Sequence, residues 1–183
     1  MFTWLSRKMI RKFEARYGYD AAYLHDILQT GGPGALLRVA LVQSMGAYDR
    51  DVPRDALFAA RLAAIVAEDC GPCAQLTVRM AEEAGVPGTI LAAVVAGDDE
   101  ALPAEVRLAV EFVRHALARD PEADQLRQEV ITRFGPRAPL TLAYALTTAR
   151  IYPTLKYALG HGHVCMRVEV EGVAVARPAA LVS

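Results

Sequence analysis

This sequence has no excess of either charge and no long apolar run. Its 183 residues include 20 lysines and arginines against 21 aspartates and glutamates, for a formal net charge of −1. Because nucleic-acid binding needs a concentrated basic face, we expect no nucleic acid as a partner. No apolar run reaches the roughly 18 residues of a membrane span, and the basic N-terminal segment lacks the apolar stretch of a signal peptide. We therefore expect a cytoplasmic protein without membrane contact.

Strand-like alternation of apolar and polar residues is missing from most of the chain. Apolar residues recur instead at three- and four-residue steps, the period of an amphipathic helix, beginning with segment 2–17. Alternation appears only in segment 164–175, after Gly160, and it predicts a small β-hairpin or an extended tail. The sequence therefore predicts an all-α domain with eight or nine helices.

Breaks in the helical pattern divide the chain into three parts. We interpret Gly-Gly-Pro-Gly at 31–34 as a hinge, because the lysine and Ser/Thr of a phosphate-binding loop are absent. We predict an N-terminal helical arm (1–30), a helical domain (35–160) and an extended tail (161–183). The arm is basic and amphipathic, and docking on its own domain or on a second subunit is favoured over a membrane surface. Pro153 should kink or split the last helix, because proline removes one backbone hydrogen bond.

Cysteine is scarce, and two of the three cysteines lie close together. Cys70 and Cys73 flank Gly71 and Pro72 at the predicted start of a helix. A cytoplasmic pair is more typical of a catalytic or metal site than of a structural disulfide. A helix N-terminus and this spacing can lower a thiol pKa from about 8.5 to about 7 or below. We interpret the pair as a redox site, with Cys73 toward the core and Cys70 nearer solvent; plain packing of two small side chains is the weaker alternative.

The pair and its surroundings resemble the alkylhydroperoxidase D-like, or carboxymuconolactone decarboxylase, family. The resemblance covers residues 54–118: an Ala-rich helix, Cys-Gly-Pro-Cys, a helix ending in Ala-Gly-Val at 84–86, and a segment from Gly97 to Phe112. Thioredoxin itself fits poorly, because there the motif follows a β-strand. The resemblance implies an alkylhydroperoxidase D-like helical core that forms a homo-oligomer. It also implies thiol-dependent peroxidase or disulfide oxidoreductase activity, without a cofactor.

The resemblance assigns roles to both cysteines. In the family the second cysteine, here Cys73, attacks the peroxide, and the first, here Cys70, resolves the sulfenic acid as a disulfide. Two family positions differ: a histidine one turn after the second cysteine is Thr77 here, and a glutamate upstream of the first is Phe58. A thiol needs a base to become a good nucleophile, so their absence leaves the base unassigned.

Glu68 and Thr77 are the nearest groups that could tune the thiols. Glu68 is the better candidate base, although it could instead cap the helix or raise a thiol pKa through its charge. The Thr77 hydroxyl could donate a hydrogen bond to a thiolate. Helix electrostatics favours Cys70 as the attacking thiol, whereas the family resemblance favours Cys73.

The leading hypothesis is an enzyme that takes a small peroxide or disulfide as substrate and electrons from a separate thiol donor. Its rival is a non-catalytic, oligomeric redox-sensing or scaffold protein of the same fold. A zinc site formed by the pair with His161, His163 and Cys165 is a weaker alternative, because the spacing matches no standard zinc module. One of these histidines could instead approach the cysteine pair and act as its base.

Overall fold

A computed structural model of the protein describes residues 2–162 and 167–176, and this part of the chain is all-α apart from one small hairpin, as predicted. The helices are α1 (Phe2–Tyr17), α2 (Ala22–Gly46), α3 (Arg54–Ala67), α4 (Gly71–Glu83), α5 (Gly88–Ala96), α6 (Ala104–Ala118), α7 (Glu122–Phe134) and α8 (Ala138–Ala158), with a 3₁₀ turn at Asp99–Ala101. Strands β1 (Val168–Val170) and β2 (Val173–Val175) pair antiparallel. This hairpin confirms the alternation at 168–175; positions 163–166 lie outside the described residues.

The main hydrophobic core forms around α3. Nine of its 14 residues are buried, and six of these nine are alanine or valine. Small side chains let the helix axes approach closely, and α3 packs against both α6 and α8. Leu62 of α3 and Leu142 of α8 are among the largest fully buried side chains. The central position of α3 fixes where its C-terminal end, and the cysteine pair beyond it, lie in the molecule.

A second, smaller cluster joins the N-terminal helices to the rest of the chain. Ile10, Tyr19 and Tyr23 are buried there, and Leu76 of α4 and Leu155 of α8 pack against them. Helix α1 therefore docks on its own chain. The division of the chain into an arm at 1–30, a domain at 35–160 and a tail at 161–183 stays a prediction.

The two predicted helix breaks have different outcomes. The break at Gly32 is present: its φ of +70° and ψ of −174° are not helical, so a kink interrupts α2 there and a second helical segment begins at Pro33. Glycine populates positive φ at little cost, and a proline suits the first turn of the resumed helix because it has no N–H to satisfy. Helix α8 continues through Pro153 to Ala158, so the proline does not split it.

The hairpin packs against α4. The Gln75 side chain pairs with the Glu169 backbone through two hydrogen bonds, from Nε2 to the carbonyl (2.9 Å) and from the Glu169 N–H to Oε1 (2.7 Å). Val168 and Val170 are buried in the same core as Cys73. Gln75 thus acts as a strand-like partner for the hairpin. Within the described residues, no helix is both long and apolar enough to cross a membrane.

Leu62→Ala should lower the free energy of unfolding by about 2–5 kcal/mol, because it removes a fully buried side chain and leaves a cavity. Leu37→Ala is the matched control: Leu37 is 60% exposed, and we expect a change of about 0.5 kcal/mol or less. Urea unfolding followed by circular dichroism measures both values. Equal losses in the two variants would contradict the central position of α3.

Candidate redox site

The two cysteines form a disulfide at the start of α4. Cys70 is the N-cap residue, and Cys73 lies in the first turn, with Cα atoms 5.3 Å apart. Asp69 just before them has φ +53°, a left-handed conformation that aspartate tolerates better than most residues. This residue turns the chain between α3 and α4 within a very short linker. The predicted proximity of the two sulfurs is confirmed.

The two cysteines have different surroundings, as the sequence predicts. Cys73 is only 3% exposed and belongs to the main core. Cys70 is partly buried and lines a cavity of about 340 Å³. A small molecule that enters this cavity meets Cys70 before it can reach Cys73.

Two stretches far apart in sequence, residues 68–70 and 153–162, build the cavity. The α3–α4 linker contributes Cys70 and the two acidic residues before it, the end of α8 contributes Lys156 and Tyr157, and the turn after α8 contributes His161. A cleft that combines apolar walls with converging titratable groups is the usual form of a ligand site. Cys70 therefore shares the cavity with side chains that can accept or donate protons.

Glu68 and Thr77 have partners other than the sulfurs. The Glu68 carboxylate, at the C-terminal end of α3, accepts a hydrogen bond from Arg150 of α8 and pairs with its charge. The Thr77 hydroxyl is buried and donates to the backbone carbonyl of Cys73 at 3.0 Å. Glu68 therefore ties the linker to α8, and Thr77 holds the first turn of α4; their roles as tuning residues stay predictions.

Phe58 stands where the family resemblance implies a glutamate, and its side chain is apolar. Its ring packs against the main core, and the Arg61 guanidinium lies over it at 5.3 Å from the centroid. This position offers no proton acceptor.

Lys156 is a buried cation next to the disulfide cavity. It is 6% exposed, and its ammonium lies over the rings of Tyr19 (4.9 Å) and Tyr23 (5.7 Å). Desolvation lowers the pKa of Lys156, with Asp20 acting in the opposite direction. The two aromatic faces partly replace the water that the ammonium loses, since a desolvated cation–π contact contributes about 2 kcal/mol. Burial also raises the pKa of Tyr19, to about 12, and that of Tyr23.

His161 is held in the cavity wall by a carboxylate. Its Nε2 lies 3.0 Å from Oδ2 of Asp26 on α2. Its backbone N–H donates to the Lys156 carbonyl at 2.8 Å, which fixes the turn to the end of α8. His161 therefore lines the same cavity as Cys70, and its role as a base for the cysteine pair stays a prediction. His163 and Cys165, the other members of that group, lie outside the described residues.

The zinc alternative requires both cysteines of the pair as free thiolates. Both sulfurs of the pair are bonded to each other here, so neither is available as a metal ligand in this state. Within residues 2–162 and 167–176, the group that could hold a metal ion is His115 with Asp120 and Glu122, on the surface between α6 and α7.

Sequence reasoning missed two members of the site. Lys156 has a recognisable signal, since it is one of only two charged residues in the otherwise apolar helix α8. Asp26 has none, because it is one acidic residue among many and only the packing of α2 against α8 brings it to His161. Comparisons of the chain with models of protein families, with curated proteins and with solved structures found no match in any of the three.

Lys156→Met should flatten the rise in stability between pH 7 and pH 10. Because the folded-state pKa of Lys156 is lowered, the unfolded chain binds more protons between that pKa and 10.5, and stability rises with pH through this window. The methionine variant lacks this contribution. Urea unfolding at both pH values measures the difference, and Lys12→Met, at an exposed position of α1, is the control. An identical pH dependence in all three proteins would contradict the buried charge.

Proposed function

We propose that this protein is a thiol-dependent peroxidase or disulfide oxidoreductase that cycles the Cys70–Cys73 pair between dithiol and disulfide. The observation that carries the proposal is the disulfide at the start of α4, with one sulfur on a cavity and the other in the core. A disulfide that serves only stability has no need of a cavity or of titratable neighbours. The all-α fold and the helical setting of the pair agree with an alkylhydroperoxidase D-like protein, and membership of that family is part of the proposal.

The oxidative half of the cycle follows the roles that the family resemblance assigns. The Cys73 thiolate attacks a peroxide oxygen, the O–O bond breaks, and an alcohol or water leaves after taking a proton. Cys73 is then a sulfenic acid. The Cys70 sulfur attacks it, forming the S–S bond and releasing water. Two electrons have passed from the dithiol to the peroxide.

The reductive half begins at Cys70. Thiol–disulfide exchange needs direct access of the attacking thiolate to a sulfur, and Cys70 is the sulfur that lines the cavity while Cys73 is buried. A donor thiolate forms a mixed disulfide with Cys70, and Cys73 leaves as a thiolate. The second thiol of the donor then displaces Cys70, which takes up a proton, and the donor leaves as its own disulfide. Cys73 is thereby returned in the form that attacks the next peroxide.

The proposal also gives Glu68 and Thr77 supporting roles. Glu68, through Arg150, holds the linker that carries Cys70 against α8. Thr77 fixes the Cys73 carbonyl, and with it the turn from which Cys73 attacks. We further propose that the protein works in the cytoplasm as a homo-oligomer.

Cys70→Ser and Cys73→Ser should each abolish peroxide turnover with dithiothreitol as the electron donor, because the cycle needs both sulfurs. Cys165→Ser should retain turnover. Consumption of hydrogen peroxide and of tert-butyl hydroperoxide measures the activity, and mass spectrometry measures formation of the Cys70–Cys73 disulfide after one equivalent of peroxide. Glu68→Gln and Thr77→Val should slow turnover by a smaller factor, since they act on position.

The rival scaffold function predicts other results. Wild-type protein would then form the disulfide no faster than free thiols react with peroxide, and both serine variants would keep the wild-type oligomeric state and show no change in turnover. That pattern would overturn the proposed enzyme.

A further inference from the structure

We propose that His161, positioned by Asp26, takes the proton of the Cys70 thiol when the disulfide closes and returns it when the disulfide opens. The inference rests on the proposed function in one respect, the choice of Cys70 as the sulfur that resolves and exchanges. It assigns the proton transfer at that sulfur to a histidine from a separate part of the chain.

The first support is shared access. Cys70 and His161 line the same cavity of about 340 Å³, although 90 residues of chain separate them. Cys73 does not line it. A proton carrier in this cavity can therefore serve Cys70, either directly or through a water molecule, which is sufficient for acid–base catalysis.

The second support is that the histidine is held on two sides. Its backbone N–H bonds to the Lys156 carbonyl, and the next residue, Gly162, packs so closely on Tyr157 that an added Cβ would lie 2.6 Å from the ring. Its Nε2 lies 3.0 Å from the Asp26 carboxylate. The side chain is 25% exposed. These contacts restrain both the backbone and the ring of His161 in the wall of the cavity.

The third support is the chemistry of the ring. An ionised carboxylate can only accept a hydrogen bond, so Nε2 carries a proton and donates a hydrogen bond to Asp26. Nδ1 then keeps its lone pair and is the nitrogen that can accept a further proton. Asp26 also stabilises the imidazolium that results, as an orienting carboxylate does for a histidine base. Asp26 is thus a positioning residue, and His161 is the proton acceptor.

The other charged groups of the cavity come from two elements. The linker carries Asp69 and also Glu68, whose charge Arg150 compensates. Helix α8 carries Lys156, whose ammonium lies over two tyrosine rings, and Tyr157. Unperturbed histidine has a pKa near 6.5, so among these side-chain types it is the one whose charge ordinarily changes close to neutral pH.

The proton balance closes over one cycle. On closure, the Cys70 S–H bond breaks, His161 gains an N–H bond, and the Cys70 thiolate attacks the Cys73 sulfenic acid. Water leaves after its oxygen takes a proton from the imidazolium. On opening, the Cys70 thiolate displaced from the mixed disulfide takes its proton from His161, which recovers it from the donor's thiol.

The test measures the pH dependence of Cys70 alkylation in the reduced Cys73→Ser protein, using iodoacetamide and peptide mapping to separate Cys70 from Cys165. Adding His161→Gln should raise the pKa of the Cys70 thiol by about one unit, which is about tenfold less thiolate at neutral pH, because the imidazolium no longer stabilises it. Asp26→Asn should change it in the same direction by less. His25→Gln is the matched control: His25 also pairs with a carboxylate, Glu14 at 3.3 Å, but it does not line the cavity.

A second measurement needs no substitution. Linkage is reciprocal, so if the imidazolium stabilises the thiolate, reducing the disulfide in wild-type protein should raise the pKa of His161 in an NMR titration. His25 and His115 should titrate alike in both states. An unchanged His161 titration, or an unchanged alkylation profile in a folded His161→Gln protein, would overturn the inference.

These measurements use no turnover, so the two proposals can fail separately. Fast peroxide turnover with an unchanged His161 titration would leave the proposed function standing without its proton carrier. If the titrations of His161 and Cys70 are coupled but no peroxide turnover is found, the His161 inference is supported and the proposed peroxidase function is contradicted.

Discussion

The site depends on the packing of α3 between α6 and α8. Because α3 is buried along most of its length, its C-terminal end cannot move independently of α8. The linker between α3 and α4 is only three residues long, so the end of α3 also fixes the position of Cys70. The Glu68–Arg150 ion pair adds a polar tie at the same point. A surface pair of this kind contributes about 1 kcal/mol or less to stability, so its main effect is on position.

Local sequence patterns predict the elements of this fold but not the cavity. The helical period and the late alternation are properties of neighbouring residues, and both give the observed helices and hairpin. The contrast between Cys70 and Cys73 also follows from one helix, since Cys73 falls on the buried stripe with Thr77. The kink at Gly32 also follows from local sequence, because glycine and proline mark where a helix is weakened. The same kind of signal at Pro153 does not split α8, so tertiary packing decides whether a weakened helix ends.

The cavity depends on contacts that no local pattern encodes. Asp26 and His161 are 135 positions apart, and their approach depends on the packing of α2 against α8. Single-sequence reasoning could name His161 as one of several candidates, because histidines near a cysteine pair have recognisable chemistry. It could not choose a carboxylate for it, since the sequence has 21 acidic residues and no feature that distinguishes Asp26.

The asymmetry of the pair bears on the two sequence arguments about which thiol attacks. Electrostatics at the helix N-terminus favours a thiolate at the N-cap residue Cys70, whereas the family resemblance favours Cys73; the two sulfurs also differ in what can reach them. In the proposed cycle a small peroxide reacts at the buried Cys73, whereas a bulkier thiol donor requires an accessible sulfur. An arrangement with Cys73 in the core and Cys70 on the cavity therefore suits oxidation at one sulfur and reduction at the other. Under this division the proton transfers that accompany exchange with a thiol donor occur at Cys70, and His161, which lies outside α4 and lines the same cavity, is the base proposed for them.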